Sequence, residues 1–148
     1  MKAKIFIVVR VGLQDNVDPI NEVDKVIKKK GFCWFGKYGE SLHSTLVDRV
    51  FNEKDVAICL VYKSKQGGYQ MKTYFAEEVS PNPKLTKNSY PAYYKYFMSR
   101  IGTFVRLSPY TETAPTINDL YVKSSLNKLA SSLQKSIRGH FICMTNTI

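Results

Sequence analysis

The sequence has few residues of the kinds that build metal sites. It holds only two histidines, His43 and His140, and three widely spaced cysteines with no Cys-x-x-Cys pair. Because zinc sites need clusters of these residues, we expect no structural zinc. Free cysteines are typical of a reducing cytosol, so we expect a cytoplasmic protein.

Long apolar runs and phosphate-binding glycine loops are also missing. The β-prone run at residues 5–9 is too short to cross a membrane, and no signal-peptide cleavage pattern follows it. No P-loop or dinucleotide-binding motif is present, and Gly36-x-x-Gly39 is too weak to count as one. The sequence therefore predicts neither a membrane partner nor a cofactor.

Acidic residues are scarce. The chain of 148 residues has 12 Asp and Glu against 22 Lys and Arg, which gives a formal net charge of +10. The imbalance is strongest in residues 81–148, which carry nine basic and two acidic residues. A basic surface of this kind favours polyanions, first among them nucleic acid. On charge alone, a merely soluble basic protein is an equally good interpretation.

Groups for acid–base or nucleophilic catalysis are not arranged in a convincing pattern. Glu77 and Glu78 form a close carboxylate pair, but neighbours on a strand point to opposite faces, so the two cannot share one acid–base site. Neither histidine has an obvious Ser or Cys nucleophile at a suitable spacing. We therefore expect a binding protein rather than an enzyme.

Aromatic residues are abundant, at 13% of the chain with ten tyrosines. They concentrate in residues 31–41, which include three glycines and the only tryptophan, and again in residues 90–100. Glycine lets backbone approach a ligand closely, and a flat ring offers a stacking face. The two stretches therefore predict the two halves of an aromatic pocket for a nucleobase.

The candidate residues divide into two sets. The rings and hydroxyls expected to contact a base are Trp34, Phe35, Tyr38, Ser41, Tyr94, Tyr96, Phe97 and Ser99, with Tyr93 in the same aromatic group. The cations expected to hold phosphates are Lys37, Lys63, Lys65, Lys95 and Arg100. Trp34 is the strongest candidate, whereas for Phe35 a place in the core is as well supported as one in the pocket.

Hydrophobic patterning predicts one α+β domain over residues 1–148. We expect strands at residues 2–11, 55–63, 69–79, 102–108 and 140–144, with a hairpin loop at 64–68. Helices are expected from Asp18-Pro19 to Gly31, at 42–50 and at 127–136, the last capped by Ser124 or Ser125. Hairpin-linked strands between helices predict a curled mixed sheet or small barrel flanked by helices.

Several segments, in this order, resemble the PUA-like superfamily and, within it, the EVE and YTH-type domains. The segments are residues 4–8, 31–34, 56–79 (ending Ala-Glu-Glu-Val), 100–107 and 117–125. The resemblance covers most of the chain and implies a PUA-like fold in which Trp34 is one wall of an aromatic cage. The chain departs from YTH domains at Arg100, where those domains place a second tryptophan.

The resemblance implies a non-enzymatic reader of a modified, for example methylated, base. The base would be flipped out of DNA, as in the specificity domain of a modification-dependent restriction or defence system of the McrB type. It also implies further domains of a larger AAA+ protein as partners. The alternatives are an RNA-binding PUA-like module, a small nucleotide-processing enzyme, and an interaction protein whose aromatics form a protein interface.

Overall fold

The computed structural model describes residues 3–12, 17–39, 41–52 and 56–145, without the side chains of 47–52. The strands are β1 (Ile5–Arg10), β2 (Cys33–Tyr38), β3 (Val56–Lys63), β4 (Tyr69–Ser80), β5 (Ile101–Pro109), β6 (Leu120–Val122) and β7 (His140–Thr145). The α-helices are α1 (Pro19–Lys30), α2 (Ser41–Asn52) and α3 (Leu129–Lys135). Short 3₁₀ turns cover Ala92–Tyr96, Met98–Arg100 and Ile117–Asp119. The α+β class is confirmed.

The strands form one seven-stranded mixed sheet in the order β2-β5-β4-β3-β1-β7-β6. Only β1 and β3 pair in parallel, and the other neighbours are antiparallel. The predicted central positions of β1 and β3 are confirmed. Both strands carry apolar side chains on both faces, because both faces are covered.

The sheet is curled. β2 and β1 are separated by three strands, so in a flat sheet they would lie about 19 Å apart. Yet the Lys37 amine on β2 donates a hydrogen bond of 2.5 Å to the carbonyl of Arg10 at the end of β1. The sheet therefore bends back on itself, which brings the edge strand β2 to the end of a central strand.

Helices cover both faces of this sheet. On the inner face, α1 and α2 bury Val23, Val26, Leu42 and Leu46 against side chains that include Phe35. On the outer face, α3 packs over β1, β3, β6 and β7. A separate outer aromatic cluster, consisting of Trp34, Tyr94, Ile101 and Phe104, covers the outer side of β2 and β5. Residues 85–98 complete this cluster, so the second aromatic stretch lies against the first.

The predicted limits of α1 are confirmed by its caps. The carboxylate of Asp18 accepts hydrogen bonds from the N–H groups of Ile20 and Asn21 at 3.0 and 3.1 Å. Gly31 ends the helix with φ of 83°, a left-handed conformation that glycine adopts without strain. The entry angle into the first aromatic stretch is therefore set by local sequence.

Two local predictions are wrong. No strand is predicted from the sequence at residues 33–38, but they form the edge strand β2 because they pair with β5. The cap of α3 is neither Ser124 nor Ser125: the helix begins after Lys128, which makes no capping hydrogen bond through its side chain. Ser125 instead accepts a hydrogen bond from the Asn127 N–H within the preceding turn. No helix in the described ranges is long and apolar enough to cross a membrane.

Candidate functional site

A cleft lies where the end of β2 meets the end of β1 and the 3₁₀ turns. It is open to solvent on one side and encloses about 100 Å³. Its lining combines five aromatic rings, two cations and apolar side chains from parts of the chain that are distant in sequence. The lining residues are Arg10, Val11, Gly12, Phe35, Gly36, Lys37, Tyr38, Tyr93, Tyr94, Phe97 and Ile101. We call this site the aromatic cleft, and its rings are Phe35, Tyr38, Tyr93, Tyr94 and Phe97.

Gly36 allows the two aromatic stretches to meet. Its N–H donates a hydrogen bond of 3.1 Å to the hydroxyl of Tyr94, which is buried. A Cβ at this position would lie 2.8 Å from Ile101 side-chain atoms and 3.2 Å from a Tyr94 ring carbon. Because Gly36 has no side chain, Tyr94 can pack under β2 and form the floor of the aromatic cleft.

The remaining rings form the walls. The Tyr38 and Phe97 ring centroids are 6.2 Å apart, with the planes inclined at 56°. Tyr93 meets Tyr94 edge to face at 5.0 Å. Burial raises the pKa of Tyr93 to about 12, and its protonated phenol can act as a hydrogen-bond donor. Tyr38 is 46% exposed, so its side chain lies partly in solvent at the edge of the cleft.

The two cations of the aromatic cleft differ in how many hydrogen bonds they already make. The Arg10 guanidinium donates to the carbonyls of Leu133, Ser136 and Arg138 at 2.5, 2.5 and 2.9 Å, so it is a structural group. Lys37 donates to the Arg10 carbonyl, which can use only one of the three ammonium protons. Burial, and then the Arg10 charge, lower the pKa of the Lys37 amine. Lys37 is thus the cleft cation best placed to meet an anionic ligand.

His140 lies beside this basic group at the start of β7. Its Nε2 is 3.0 Å from the Thr45 hydroxyl on α2, so the side chain ties the sheet to this helix. Its pKa is lowered from 6.5 by burial and then by the charges of Arg138 and Lys37. The imidazole is therefore expected to be neutral at physiological pH.

We expect stability to fall as the pH drops below 6.5, in part because of His140. Its pKa is lower in the folded protein than the ordinary value of 6.5. In that window the unfolded chain takes up the proton first, so acidification favours unfolding. Urea unfolding at about pH 7.5 and about pH 5.5 should show a smaller loss for His140→Gln than for wild type. An equal loss in both proteins would contradict this role of His140.

The structure brings five of the predicted site residues together at the aromatic cleft. They are Phe35, Lys37, Tyr38, Tyr94 and Phe97. Lys95, Tyr96, Ser99 and Arg100 lie exposed on the adjoining 3₁₀ turns but do not line it. Ser41 is exposed at the start of α2. Lys63 and Lys65 are exposed at the β3–β4 hairpin, also outside the lining.

Trp34, the strongest candidate from sequence, lies elsewhere. Its side chain is 6% exposed and packs in the outer aromatic cluster, because neighbours along β2 point to opposite faces. It does not line the aromatic cleft. A direct role of Trp34 in base binding stays a prediction, and this placement gives the ring a structural role.

Some lining residues were not identified from the sequence. Arg10 at the end of β1, with Val11 and Gly12 after it, reaches the cleft only because the sheet curls. The one available signal is Arg10 itself, a charge at the end of an apolar run. Such a charge needs partners near the strand end, and here three backbone carbonyls supply them.

Three features of the described residues bear on catalytic chemistry. These residues include no group of three or more His, Cys, Asp or Glu side chains that could hold a metal ion. All three cysteines are buried, and burial raises the pKa of the Cys59 and Cys143 thiols to about 12, which makes them poor nucleophiles. Glu77 is exposed, and its carboxylate lies 3.0 Å from Nε of Arg106 on β5, as expected for a surface ion pair.

Comparison with protein-family models, with curated proteins and with solved structures finds no match to this chain. The resemblance to PUA-like domains, and what it implies about function, therefore stays a prediction.

Proposed function

We propose that the protein is a nucleic-acid-binding module that holds one base, modified in its physiological target, in the aromatic cleft. The observation that carries the proposal is the convergence of rings from two remote segments on one cleft that also contains Lys37. Aromatic faces bind bases of any identity, and a nearby ammonium suits the phosphate that accompanies each base. The net charge of +10 adds a general attraction for the backbone.

The free energy gained by stacking in the cleft can be compared with the cost of moving a base out of the duplex. Extrusion costs a few kcal/mol, least where pairing is already weak. Stacking on one aromatic side chain returns about 1–3 kcal/mol, so stacking on the partly exposed ring of Tyr38 offsets part of the cost. Contacts of Lys37, and of Lys95 and Arg100 beside the cleft, with phosphates add a salt-dependent contribution.

The size of the cleft limits the ligand. About 100 Å³ is well below the roughly 300 Å³ of the smallest drug-sized pockets, so a single planar ring system of nucleobase size is the largest group that fits. The open side and the exposed Tyr38 let such a ring lie partly in the mouth. A lone base with its sugar and phosphate outside meets these limits better than an extended ligand does.

A PUA-like relation of the fold, DNA rather than RNA as partner, and a place in a modification-dependent restriction or defence system with AAA+ domains belong to the same proposal. The curled mixed sheet with helices on both faces is compatible with the first. The basic cleft supports a nucleic-acid partner of either kind, and competition between matched DNA and RNA separates them.

We expect Tyr38→Ala and Phe97→Ala to weaken binding by about 10- to 100-fold, the loss of one stacking wall. The measurement is fluorescence anisotropy with labelled DNA at about 50 mM salt, where backbone attraction remains strong. The probes are duplexes with one 5-methylcytosine, 5-hydroxymethylcytosine or N6-methyladenine, the unmodified duplex, the single strand and the matching RNA. At least one modified duplex should bind more tightly than its unmodified counterpart.

Tyr38→Phe is the matched control, because it removes the hydroxyl but keeps the ring. It should bind like wild type, whereas both alanine variants should retain only salt-sensitive background binding. Tighter binding of RNA than of every DNA probe would favour the RNA-binding alternative. If the wild type binds none of the probes, the proposal of a nucleic-acid module is wrong and a protein interface becomes the better interpretation.

A further inference from the structure

Ile137 is a large apolar side chain held fully in solvent. It is 101% exposed, in the loop of residues 136–139 between α3 and β7. Single exposed apolar residues are common on proteins, so exposure alone carries no conclusion. What sets Ile137 apart is how its loop is held and what lies beside it.

The loop is fixed by Arg10 on both sides of Ile137. The Arg10 guanidinium binds the carbonyls of Ser136 and Arg138, the residues directly before and after it. The Arg10 N–H also donates to the Gly139 carbonyl at 2.8 Å. The Arg138 N–H donates to the Ser136 hydroxyl at 3.2 Å. The backbone around Ile137 is therefore tied inward while its side chain points outward.

The same loop adjoins the aromatic cleft. Arg10 lines the cleft with one part and holds the loop with another. A Cβ on Gly139 would lie 3.7 Å from Cε of Lys37, so the loop passes directly beside the cleft cation. An exposed apolar side chain is thus presented next to the place where we propose that an extruded base binds.

Two exposed cations are close to Ile137 in sequence. Arg138 follows it in sequence, and Lys135 lies two residues before it; both are exposed. Arg138 also lines a shallow open groove of about 380 Å³ together with Lys123, Ser124 and two apolar residues. This loop therefore combines one apolar projection with cations suited to phosphates, as in proteins that insert an apolar side chain between base steps.

We propose that Ile137 is a wedge that enters the base stack of duplex DNA and fills the space left when a base moves into the aromatic cleft. The inference rests on the proposed function and adds to it a residue that acts on the duplex rather than on the base. A base that leaves the stack exposes the apolar faces of its neighbours, and an isoleucine side chain restores contact with them. The hydrogen bonds from Arg10 hold the loop in place before DNA arrives, which lowers the entropic cost.

The test compares a duplex carrying 2-aminopurine in a mismatch with the single strand of the same sequence. Unstacking of 2-aminopurine raises its fluorescence, so the duplex signal reports extrusion, and anisotropy reports affinity. For Ile137→Ala we expect about tenfold weaker binding to the duplex and loss of the fluorescence increase. Affinity for the single strand, which needs no wedge, should stay within about twofold of wild type.

Two control variants separate this role from general effects. Ile137→Leu keeps a wedge-sized side chain and should restore duplex binding. Leu126→Ala removes another exposed apolar residue, 67% exposed in a different loop, and should change neither signal. Normal extrusion by Ile137→Ala, or an equal loss on duplex and single strand, overturns the wedge. If the wild type binds only the single strand, the wedge is also wrong while the base-binding proposal stands. If the wild type binds neither, the proposed function fails first.

Discussion

Trp34→Ala should lower the free energy of unfolding by about 3–5 kcal/mol, the usual cost of removing a large aromatic side chain from a packed interior. Trp34 is 6% exposed and fills the space between β2, β5 and the segment that carries Tyr94. Folded protein should lose less DNA affinity than Tyr38→Ala does, because Trp34 does not line the aromatic cleft and acts on it only through Tyr94, with which it packs. The variant therefore distinguishes a structural tryptophan from a cage wall.

Urea unfolding followed by circular dichroism is the suitable measurement, since the variant removes the only tryptophan and with it that fluorescence signal. Trp34→Phe is the control, because it keeps a ring in the cluster and should lose clearly less stability than Trp34→Ala. A stable Trp34→Ala protein that no longer prefers any modified base would contradict the structural role. That result would support a direct role of Trp34 in base binding, as predicted from the sequence.

The elements that local sequence determines are the ones that the sequence predicts well. β1 and β3 are apolar on both faces, which requires a central place in the sheet whatever surrounds them. α1 has an Asp-Pro start, an apolar stripe and a glycine end, and each of these signals is explained by a nearby hydrogen bond or backbone angle. The hairpin after β3 follows equally from its Gly-Gly turn.

β2 could not be recognised in the same way. Its identity as a strand depends on pairing with β5, more than 60 residues later, and two of its six residues, Gly36 and Lys37, are typical of a loop or exposed site. The concentration of rings suggested a binding segment, and part of it does line the aromatic cleft. The alternation along the strand then divides the rings, so that Trp34 faces the outer aromatic cluster and Phe35 the inner core.

Part of the lining of the aromatic cleft could be predicted from the sequence. Aromatic composition pointed to both stretches that form it, and Lys37, Tyr38, Tyr94 and Phe97 are among the predicted site residues. Arg10 and Ile137 were not, because their importance arises from the approach of the α3–β7 loop to the end of β1. No pattern within a short stretch of sequence predicts a contact between residues that lie more than 120 positions apart.

Gly102→Ala should lower the free energy of unfolding by about 2–5 kcal/mol and weaken DNA binding as well. Gly102 lies at the bulge where the pairing of β2 and β5 shifts between Lys37 and Tyr38. A Cβ there would lie 2.5 Å from the carbonyl oxygen of Gly39 and 2.8 Å from its carbonyl carbon. Both are backbone atoms, so the end of β2 must move.

Movement of the end of β2 has two consequences, the loss of a buried hydrogen bond and the displacement of a ring of the aromatic cleft. The Gly39 carbonyl accepts a hydrogen bond of 3.0 Å from the hydroxyl of Thr103, which is fully buried, so displacement leaves the hydroxyl without this partner. Tyr38, next to Gly39, is carried away from Phe97 at the same time. Gly68→Ala is the matched control, since a Cβ there meets nothing within 4 Å, and its effect should be below about 1 kcal/mol.

The Thr103→Val variant makes the test specific. If Gly102→Ala acts by displacing the Gly39 carbonyl, the double variant should be less destabilised than the sum of the two single variants, because one hydrogen bond can be lost only once. Additive losses would contradict that mechanism. Loss of stability with normal DNA binding would instead show that the position of Tyr38 is not needed. The binding proposal would then depend on Tyr93, Tyr94 and Phe97 alone.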